Sequence, residues 1–211
     1  MPEFIFVAGC NAAGKSSFIR SRISQLQDYE IIMTDAYKAR TKEVVKSAIK
    51  QNKNIILETV FNDKSFTDLV DDARNKGYYT SLVVLFLDNP QHSYARVASR
   101  SLEQNGLTIS GNNIKLNFNE SFKNISLYYF YFDQSDFVYT GITGQNDLMM
   151  RFKKSELTLY KASHLLYPQK FNDFAFSQQR LNDDAHRIIR QNEDYREDQL
   201  ERGPGNYGFT Y

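Results

Sequence analysis

The chain has 211 residues, 41% hydrophobic and 24% charged, which is ordinary for a globular protein of one domain or one domain with an appendage. A net charge of +1 gives no global field that favours nucleic acid or an anionic membrane. One cysteine excludes an internal disulfide, and neither a secretory leader nor a run of about 18 apolar residues is present. The sequence therefore predicts a cytoplasmic protein with no membrane partner.

The first elements predict a phosphate-binding loop. Residues 4–8 (FIFVA) read as a short buried strand, and residues 15–26 read as a helix with Ile19, Ile23 and Leu26 on one face. Between them GCNAAGKS fits the pattern G-x-x-x-x-G-K-[ST]. Backbone N–H groups of such a loop cradle phosphate oxygens, the lysine reaches the β- and γ-phosphates, and the serine hydroxyl binds Mg²⁺. The predicted nucleotide contacts are Gly9, Asn11, Ala12, Ala13, Gly14, Lys15, Ser16 and Ser17, with Ser16 as the metal ligand.

Strands and helices alternate along the rest of the main domain. Further strands are predicted at residues 30–34, 54–60, 78–87 and, as the last one, 137–142. Helical stripes follow the first three of these, a mobile loop is predicted at 104–113, and a long helix begins at Ile114. This order predicts an α/β fold of the P-loop NTPase class, with a central, mostly parallel sheet flanked by helices on both faces.

Two other compositional features allow alternative interpretations. Aromatic residues crowd residues 118–139, and we expect them to fill a core rather than to form a stacking platform for bases, which needs interleaved basic residues. Residues 178–202 are highly charged with a thin apolar stripe, and the end RGPGNYGFTY is rich in Gly. The predicted division is a main domain at 1–177 and a charged helix with a loose tail at 178–211.

Polar residues end the second and third predicted strands. Because ligands bind at the carboxyl ends of parallel strands, Asp35 is a candidate base for an attacking hydroxyl or a ligand to Mg²⁺ through water; its alternative role is a helix N-cap. Glu58 and Thr59 are candidates to contact a substrate hydroxyl or, for Glu58, the water of the metal. The alternative for Glu58 is a carboxylate in solvent.

The residues around the fourth predicted strand also allow two interpretations each, one functional and one structural. Asp88 follows the apolar run VVLFL and resembles a Walker B aspartate, although a capping role beside Asn89 explains it equally well. Arg96 and Arg100 lie four residues apart and share one helix face. They are candidates to clamp a transferring phosphoryl group, or they form a solvated basic face. Cys10 is either a thiol activated by the loop or a small buried residue.

Several stretches, taken together and in order, resemble the zeta toxin family of P-loop kinases. FVAGCNAAGKSSF is similar to that family's AGPNGAGKST loop, and ILETVF is similar to its strand ending in E-T. GYYTSLVVLFLDNPQHSYARVASR resembles its segment ending in R-V-a-x-R, and the helix from Ile114 resembles its I-x-x-R-Y helix. The resemblance covers roughly residues 4–140.

This resemblance implies an ATP- and Mg²⁺-dependent kinase that phosphorylates a hydroxyl of a small molecule, such as a nucleotide sugar. It implies that Lys15, Ser16 and Ser17 bind ATP and Mg²⁺ and that Asp35 is the base. The acceptor contacts would be Glu58 and Thr59, and the phosphate-sensing arginines would be Arg96 and Arg100. A protein inhibitor, an antitoxin, is an implied partner.

The chain departs from the family pattern after the fourth strand. The family's GGHxVP segment corresponds here to QNGLTIS, and its R-Y pair corresponds to Asn117-Phe118, so one arginine is absent. Three functions therefore stay open from the sequence. They are a zeta-toxin-type kinase, a nucleotide-binding module with little catalysis that recruits a partner, and a nucleoside or polynucleotide kinase. Balanced charge disfavours nucleic acid as a partner.

Overall fold

A twisted sheet forms the centre of the protein. The computed structural model describes residues 1–104 and 110–197, and within them the sheet has eight strands in the order β2-β3-β1-β4-β5-β6-β7-β8. The strands are β1 (Glu3–Ala8), β2 (Tyr29–Met33), β3 (Asn54–Thr59), β4 (Tyr79–Phe86), β5 (Gln134–Tyr139), β6 (Asp147–Lys153), β7 (Glu156–Tyr160) and β8 (Tyr195–Arg196). The pairs from β2 to β5 are parallel, and those from β5 to β8 are antiparallel.

Helices cover both faces of this sheet. They are α1 (Lys15–Arg20), α2 (Thr34–Tyr37), α3 (Thr41–Lys50), α4 (Thr67–Asn75), α5 (Pro90–Gln104), α6 (Gly111–Tyr128), α7 (Leu166–Ser177) and α8 (Asp183–Gln191). Short 3₁₀ turns occur at Ile23–Gln25, Lys38–Arg40, Lys64–Phe66 and Tyr129–Tyr131. None of the helices in the described ranges is long and apolar enough to cross a bilayer.

The alternation of β1 shows why the core has two halves. Phe4 and Phe6 belong to one buried cluster, while Ile5 and Val7 belong to a second cluster. Successive side chains of a strand point to opposite faces, so β1, which is buried along its whole length, must be covered on both sides. The predicted α/β fold of the P-loop class, with helices on both faces of a mostly parallel sheet, is confirmed.

The crowded aromatic segment fills the core, as expected. Tyr129, Phe132 and Phe137 are fully buried, and the Phe132 ring packs edge-on against Phe6 of β1 at a centroid distance of 5.0 Å. Edge-to-face aromatic pairs stabilise a core beyond the area they bury. The contact of Phe132 therefore ties the segment between α6 and β5 to the central strand β1.

Two predicted elements differ from the structure. The helix expected at 15–26 ends at Arg20, and Ile23 lies in a separate 3₁₀ turn with 54% of its surface exposed. The strand expected at 137–142 runs from Gln134 to Tyr139 and is not the last one, because β6, β7 and β8 follow it. A bulge in each of the β5–β6 and β6–β7 pairs interrupts the strict alternation by which such strands are read from sequence.

The charged C-terminal segment forms α8. Leu181, Ala185 and Ile189 are buried in the larger core cluster, and the Asn182 side chain accepts a hydrogen bond from Ala185 N at 2.8 Å, capping the helix. The end of the chain from residue 198 lies outside the described residues. The same holds for residues 105–109, which make up half of the predicted loop at 104–113 and most of QNGLTIS. The last three residues of that predicted loop belong to α6.

Asp88 caps a helix that the sequence did not connect with it. Its Oδ1 accepts hydrogen bonds from the backbone N–H groups of Leu166 (2.6 Å) and Tyr167 (2.9 Å), which begin α7. The cap of α5 is instead Asn89, whose Oδ1 accepts from His92 N at 3.2 Å. Asp88 is therefore neither a Walker B residue nor the cap of the neighbouring helix, since its carboxylate serves the N-terminus of α7.

Replacing Asp88 by alanine is expected to lower the free energy of unfolding by about 1–2 kcal/mol, the usual cost of losing a helix cap. Thermal unfolding should show a midpoint about 4 °C lower for a chain of this size. Asp173→Ala, at an exposed position on the same helix, is the matched control and should leave the midpoint unchanged. Equal midpoints for the two variants would contradict the capping role.

Candidate functional site

The loop after β1 holds a buried lysine over its own backbone. Lys15 Nζ donates to the carbonyl oxygens of Gly9 and Cys10, both at 3.0 Å. Burial lowers the pKa of Lys15, and the charge of Arg100 lowers it further; a Cys10 thiolate, when it forms, and the charges of Glu58 and Asp35 oppose this. The predicted site residues Asp35, Glu58 and Arg100 thus all lie within electrostatic range of the loop lysine.

Glycine is required at the first position of this loop. Gly9 has φ +147°, and a Cβ placed there would lie 2.1 Å from the carbonyl oxygen of Leu85 in β4. Ala12 also has positive φ, +57°, where the resembled family motif has glycine. A left-handed alanine costs about 1–2 kcal/mol, so the fold must hold this part of the loop in place.

Side chains from α5 and from the end of β5 hold the loop carbonyls. Ser93 Oγ donates to Asn11 O at 2.6 Å, Arg96 Nη1 donates to Ala12 O at 3.3 Å, and Thr140 Oγ1 donates to Ala13 O at 2.8 Å. Every carbonyl from residue 9 to residue 13 therefore accepts a hydrogen bond from a side chain. The loop's remaining polarity is that of its N–H groups, which suits an anion.

The two arginines of α5 have different environments. Arg96 is half-buried, and its second terminal nitrogen donates to Thr140 O at 2.5 Å, so the guanidinium bridges the loop and the end of β5. Arg100 is exposed, and its charge is felt at Lys15. Arg96 thus holds the loop against the end of β5, and the phosphoryl-clamping roles of Arg96 and Arg100 stay predictions.

Ser16 and Glu58 meet where β1 and β3 end. Ser16 Oγ donates to Glu58 Oε1 at 2.9 Å, and Glu58 is only 8% exposed. The other carboxylate oxygen, Oε2, is buried without a hydrogen-bond partner. A solvent-facing carboxylate, the alternative reading of Glu58, is therefore wrong. A buried oxygen without a partner costs free energy that a ligand can recover.

The donors at this point fit a magnesium ion. Mg²⁺ prefers oxygen ligands and is usually held by one or two carboxylates together with substrate phosphates and water. Ser16 Oγ and the unpartnered Glu58 Oε2 supply oxygen donors beside the loop. Within residues 1–101 and 110–197, no three acidic, histidine or cysteine side chains group to form an all-protein metal cage.

Thr59 has a structural task that the sequence did not reveal. It is 2% exposed, and its Oγ1 accepts a hydrogen bond from Phe61 N at 3.1 Å. Phe61 is fully buried and has φ +54°, a conformation that a bulky residue rarely adopts. The hydroxyl predicted to contact an acceptor thus stabilises a strained turn after β3, and contact of Thr59 or Glu58 with an acceptor stays a prediction.

Asp35 lies in the short helix that follows β2, not at the end of the strand. β2 ends at Met33, and Asp35 is in the first turn of α2, with its side chain exposed. The N-cap of α2 is Met33, and no side chain caps this helix, so the capping alternative for Asp35 is wrong. Its carboxylate stands in solvent close enough to act on the charge of Lys15.

Three asparagines form a chain of hydrogen bonds that the sequence did not predict. Asn62 Nδ2 donates to Asn117 Oδ1, and Asn117 Nδ2 donates to Asn11 Oδ1, each at 2.8 Å. Asn117 occupies the position of the arginine in the resembled R-Y pair. The only sequence signal was this departure from the family pattern, which marked an absence and gave no partner for Asn117.

Cys10 is a buried thiol. Burial raises its pKa from 9.0 to about 11, although Lys15, Ser93 and Arg96 oppose the rise. A thiol in this state is neutral near pH 7, and the thiolate is the reactive form. The structure thus favours the small buried residue over the activated nucleophile.

Comparisons with solved structures agree on the fold. A structure from work on the PezAT chromosomal toxin–antitoxin system of Streptococcus pneumoniae superposes with a TM-score of 0.55 at 13% identity, covering 85% of this chain and 86% of that one. The AvrRxo1-ORF1:AvrRxo1-ORF2 complex with sulphate ions gives a TM-score of 0.61 at 11% identity over 93% and 78% of the chains. The same complex with ATP gives 0.59 at 9% identity over 92% and 77%.

Sequence comparison matches part of the chain to a family model. No curated protein matches the chain. The family model described as zeta toxin matches residues 35–127, a range that begins at Asp35 and includes Glu58, Arg100 and Asn117 but not the phosphate loop. The resemblance to the zeta toxin family is confirmed by this match together with the shared fold.

Proposed function

We propose that the protein is an ATP-dependent kinase of zeta toxin type that phosphorylates a hydroxyl group of a small molecule. The observation that carries this proposal is the contact that joins the phosphate loop to β3 at one edge of the sheet, where Ser16 Oγ donates to Glu58 Oε1 at 2.9 Å. The charges of Glu58, Asp35 and Arg100 all act on the buried Lys15 of this loop. The edge lies at the carboxyl ends of β1 and β3, where the strand order changes direction and ligands of α/β sheets bind.

Each side chain has a defined task in this mechanism. Lys15 and the loop N–H groups would hold the β- and γ-phosphates of ATP, and Ser16 and Glu58 would hold the magnesium ion. Magnesium, when bound, neutralises charge on the phosphates. The oxygen of the acceptor hydroxyl forms a bond to the γ-phosphorus while Asp35 accepts the proton of that hydroxyl. The bond between the γ-phosphorus and the oxygen of ADP breaks in the same step. Arg100 balances the charge of the transferred group.

A test on purified protein uses ATP with a panel of nucleotide sugars and nucleosides. The parent chain should transfer phosphate to at least one acceptor. Asp35→Asn should keep ATP binding and lose transfer by at least about a hundredfold, the contribution of a positioned base. Asp28→Asn, at an exposed aspartate outside the site, is the control and should keep full activity. Transfer by the parent that Asp35→Asn leaves intact would refute the role of Asp35, and the absence of any transfer would refute the kinase.

A second candidate function is a nucleotide-binding module with little catalysis. The amide of Asn117 stands where the resembled pattern has an arginine, and it is engaged with two other amides. An amide carries no charge to stabilise a transition state, and arginines in that role contribute about 10³–10⁵ in rate. Tight ATP binding by the parent without turnover would favour this function over the kinase.

A protein inhibitor is proposed as the partner. Two of the similar structures come from a toxin–antitoxin system and from a two-protein complex. An inhibitor of this kind would act by covering the phosphate loop. The predicted division into a P-loop kinase-like domain at 1–177 and an appendage at 178–211 stays part of the proposal, as does the cytoplasmic location.

The proposed role of Lys15 predicts that ATP binding weakens at alkaline pH. Burial holds the pKa of Lys15 below its ordinary value of 10.5, and bound phosphates raise it because they favour the charged form. Above the pKa of the free protein, binding must take up a proton, so affinity falls by up to about tenfold per pH unit. Calorimetry between about pH 7 and about pH 10 in buffers of different ionisation enthalpy measures this uptake.

The control for the pH dependence is Lys15→Met. Any residual ATP binding by this variant should show no proton uptake in the alkaline range, because the group that titrates is gone. Equal proton uptake by the parent and by Lys15→Met would contradict the assignment of the pH dependence to Lys15.

A further inference from the structure

The three linked amides connect the two sides of the site. Asn62 follows the turn after β3, which carries Glu58; Asn117 lies on α6; and Asn11 lies in the phosphate loop. The two bonds join residues 55 and 106 positions apart in the sequence. The amides thus form one continuous path from the acceptor side of the site to the loop.

This path has a direction. A side-chain amide has one accepting oxygen and one donating nitrogen group. Asn62 donates to the oxygen of Asn117, and Asn117 donates to the oxygen of Asn11. Each of these two hydrogen bonds fixes the orientation of the amide whose oxygen accepts it. The Asn11 oxygen is used by Asn117, and no residue in 1–101 or 110–197 accepts a hydrogen bond from the Asn11 nitrogen. The path therefore ends in a donor within the phosphate loop.

We propose that Asn117 is a positioning residue that fixes the Asn11 amide with its nitrogen as the free end, so that Asn11 donates to a phosphate oxygen of the bound nucleotide. Asn62 in turn fixes Asn117. A donor at this place strengthens the binding of a polyphosphate, whereas an amide oxygen in the same place would repel it. This inference rests on the proposed binding of nucleotide at the phosphate loop.

Reversing the path tests the inference. In Asn117→Asp the carboxylate can still accept from Asn62 but can no longer donate, so Asn11 must turn its nitrogen towards residue 117 and leave its oxygen as the free end. The dissociation constant for ATP with Mg²⁺, measured by calorimetry, should rise about tenfold or more, the range for losing a hydrogen bond to a charged group. Asn117→Ala, which frees Asn11 without reversing it, should have a smaller effect.

Two controls separate orientation from charge and from folding. Asn119→Asp adds the same charge two residues further along α6, at an exposed position with no side-chain hydrogen bond among the described residues. The effect of Asn119→Asp on ATP affinity measures how much of the loss in Asn117→Asp comes from the added negative charge alone. In an Asn11→Ala background, Asn117→Asp should weaken ATP binding no more than Asn119→Asp does in that background. A purely structural role of Asn117 would give the same loss with or without Asn11.

A second variant keeps the test decisive if Asn117→Asp does not fold. Asn62 is exposed, and Asn62→Asp reverses both bonds from the far end while leaving Asn117 and Asn11 in place. It should weaken ATP binding more than Asn62→Ala does, and only when Asn11 is present.

The possible failures are distinct. A parent chain that binds no ATP would overturn the proposed function and this inference with it. A parent that binds ATP, with Asn117→Asp no worse than Asn119→Asp, would overturn the inference alone. Asn62→Asp equal to Asn62→Ala would do the same.

Discussion

Replacing Lys15 by methionine is expected to weaken ATP binding by at least about a hundredfold. The buried ammonium group of Lys15 is the positive charge that the loop supplies to the nucleotide. Hydrogen bonds to charged groups contribute about 1.5–3 kcal/mol each to the free energy of binding. Losing its contacts to two phosphates removes at least about 3 kcal/mol, which corresponds to more than about a hundredfold in the dissociation constant. Methionine keeps most of the side-chain volume, so the fold should survive. Calorimetric titration with ATP and Mg²⁺ measures the change.

The matched control is Lys50→Met, which changes an exposed lysine at the end of α3. This variant removes the same charge from the protein and should bind ATP as the parent does. If Lys15→Met and Lys50→Met bind ATP equally well, the nucleotide does not lie on this loop, and the proposed kinase mechanism is wrong at its first step.

Replacing Gly9 by alanine should lower the free energy of unfolding by about 3 kcal/mol or more. The new Cβ would meet the backbone oxygen of Leu85 at 2.1 Å, and β4 cannot retreat because Leu85 is fully buried in the core. Overpacking costs about 1–3 kcal/mol, and the positive φ of Gly9 adds the cost of a left-handed alanine. The thermal midpoint should fall by about 6–12 °C for a chain of this size.

Gly77→Ala separates the clash from the backbone strain. Gly77 also has positive φ, +76°, but nothing lies within 4 Å of the position of its Cβ. This variant should cost only the left-handed conformation, about 1–2 kcal/mol. An equal loss of stability in the two variants would show that the contact between the loop and β4 is not what requires glycine at position 9.

The phosphate loop could be predicted because its information is local. Strand β1 and the whole pattern through Ser16 lie within 14 consecutive residues, and the side-chain hydrogen bonds of Lys15 are confined to the same stretch. The burial of β1 on both faces also follows from local composition, because Phe4, Ile5 and Phe6 are all apolar and successive side chains of a strand point to opposite faces. The fold class followed from this loop and from the repeated order of strand and helix.

The remaining features depend on partners far along the chain. Asp88 meets its helix 78 and 79 residues later, and Asn117 meets Asn11 at a separation of 106 residues. The neighbours of Asp88 in the sequence pointed to a nearer helix, so local reasoning chose the wrong cap. The partners of Arg96, Ala12 O and Thr140 O, also lie far along the chain. Thr59 differs, because it accepts from Phe61 only two residues on, and what the sequence does not show there is the positive φ of Phe61.

The antiparallel strands after β5 also change how the sheet meets other molecules. A parallel sheet that stopped at β5 would present a strand whose outer N–H and C=O groups could pair with a second chain and start aggregation. Strands β6 and β7 cover that edge, and the last described strand, β8, has only two residues. Short edge strands offer little to a misdirected partner. The strands that follow β5 thus leave a two-residue strand at this end of the described sheet, which limits pairing with a second chain.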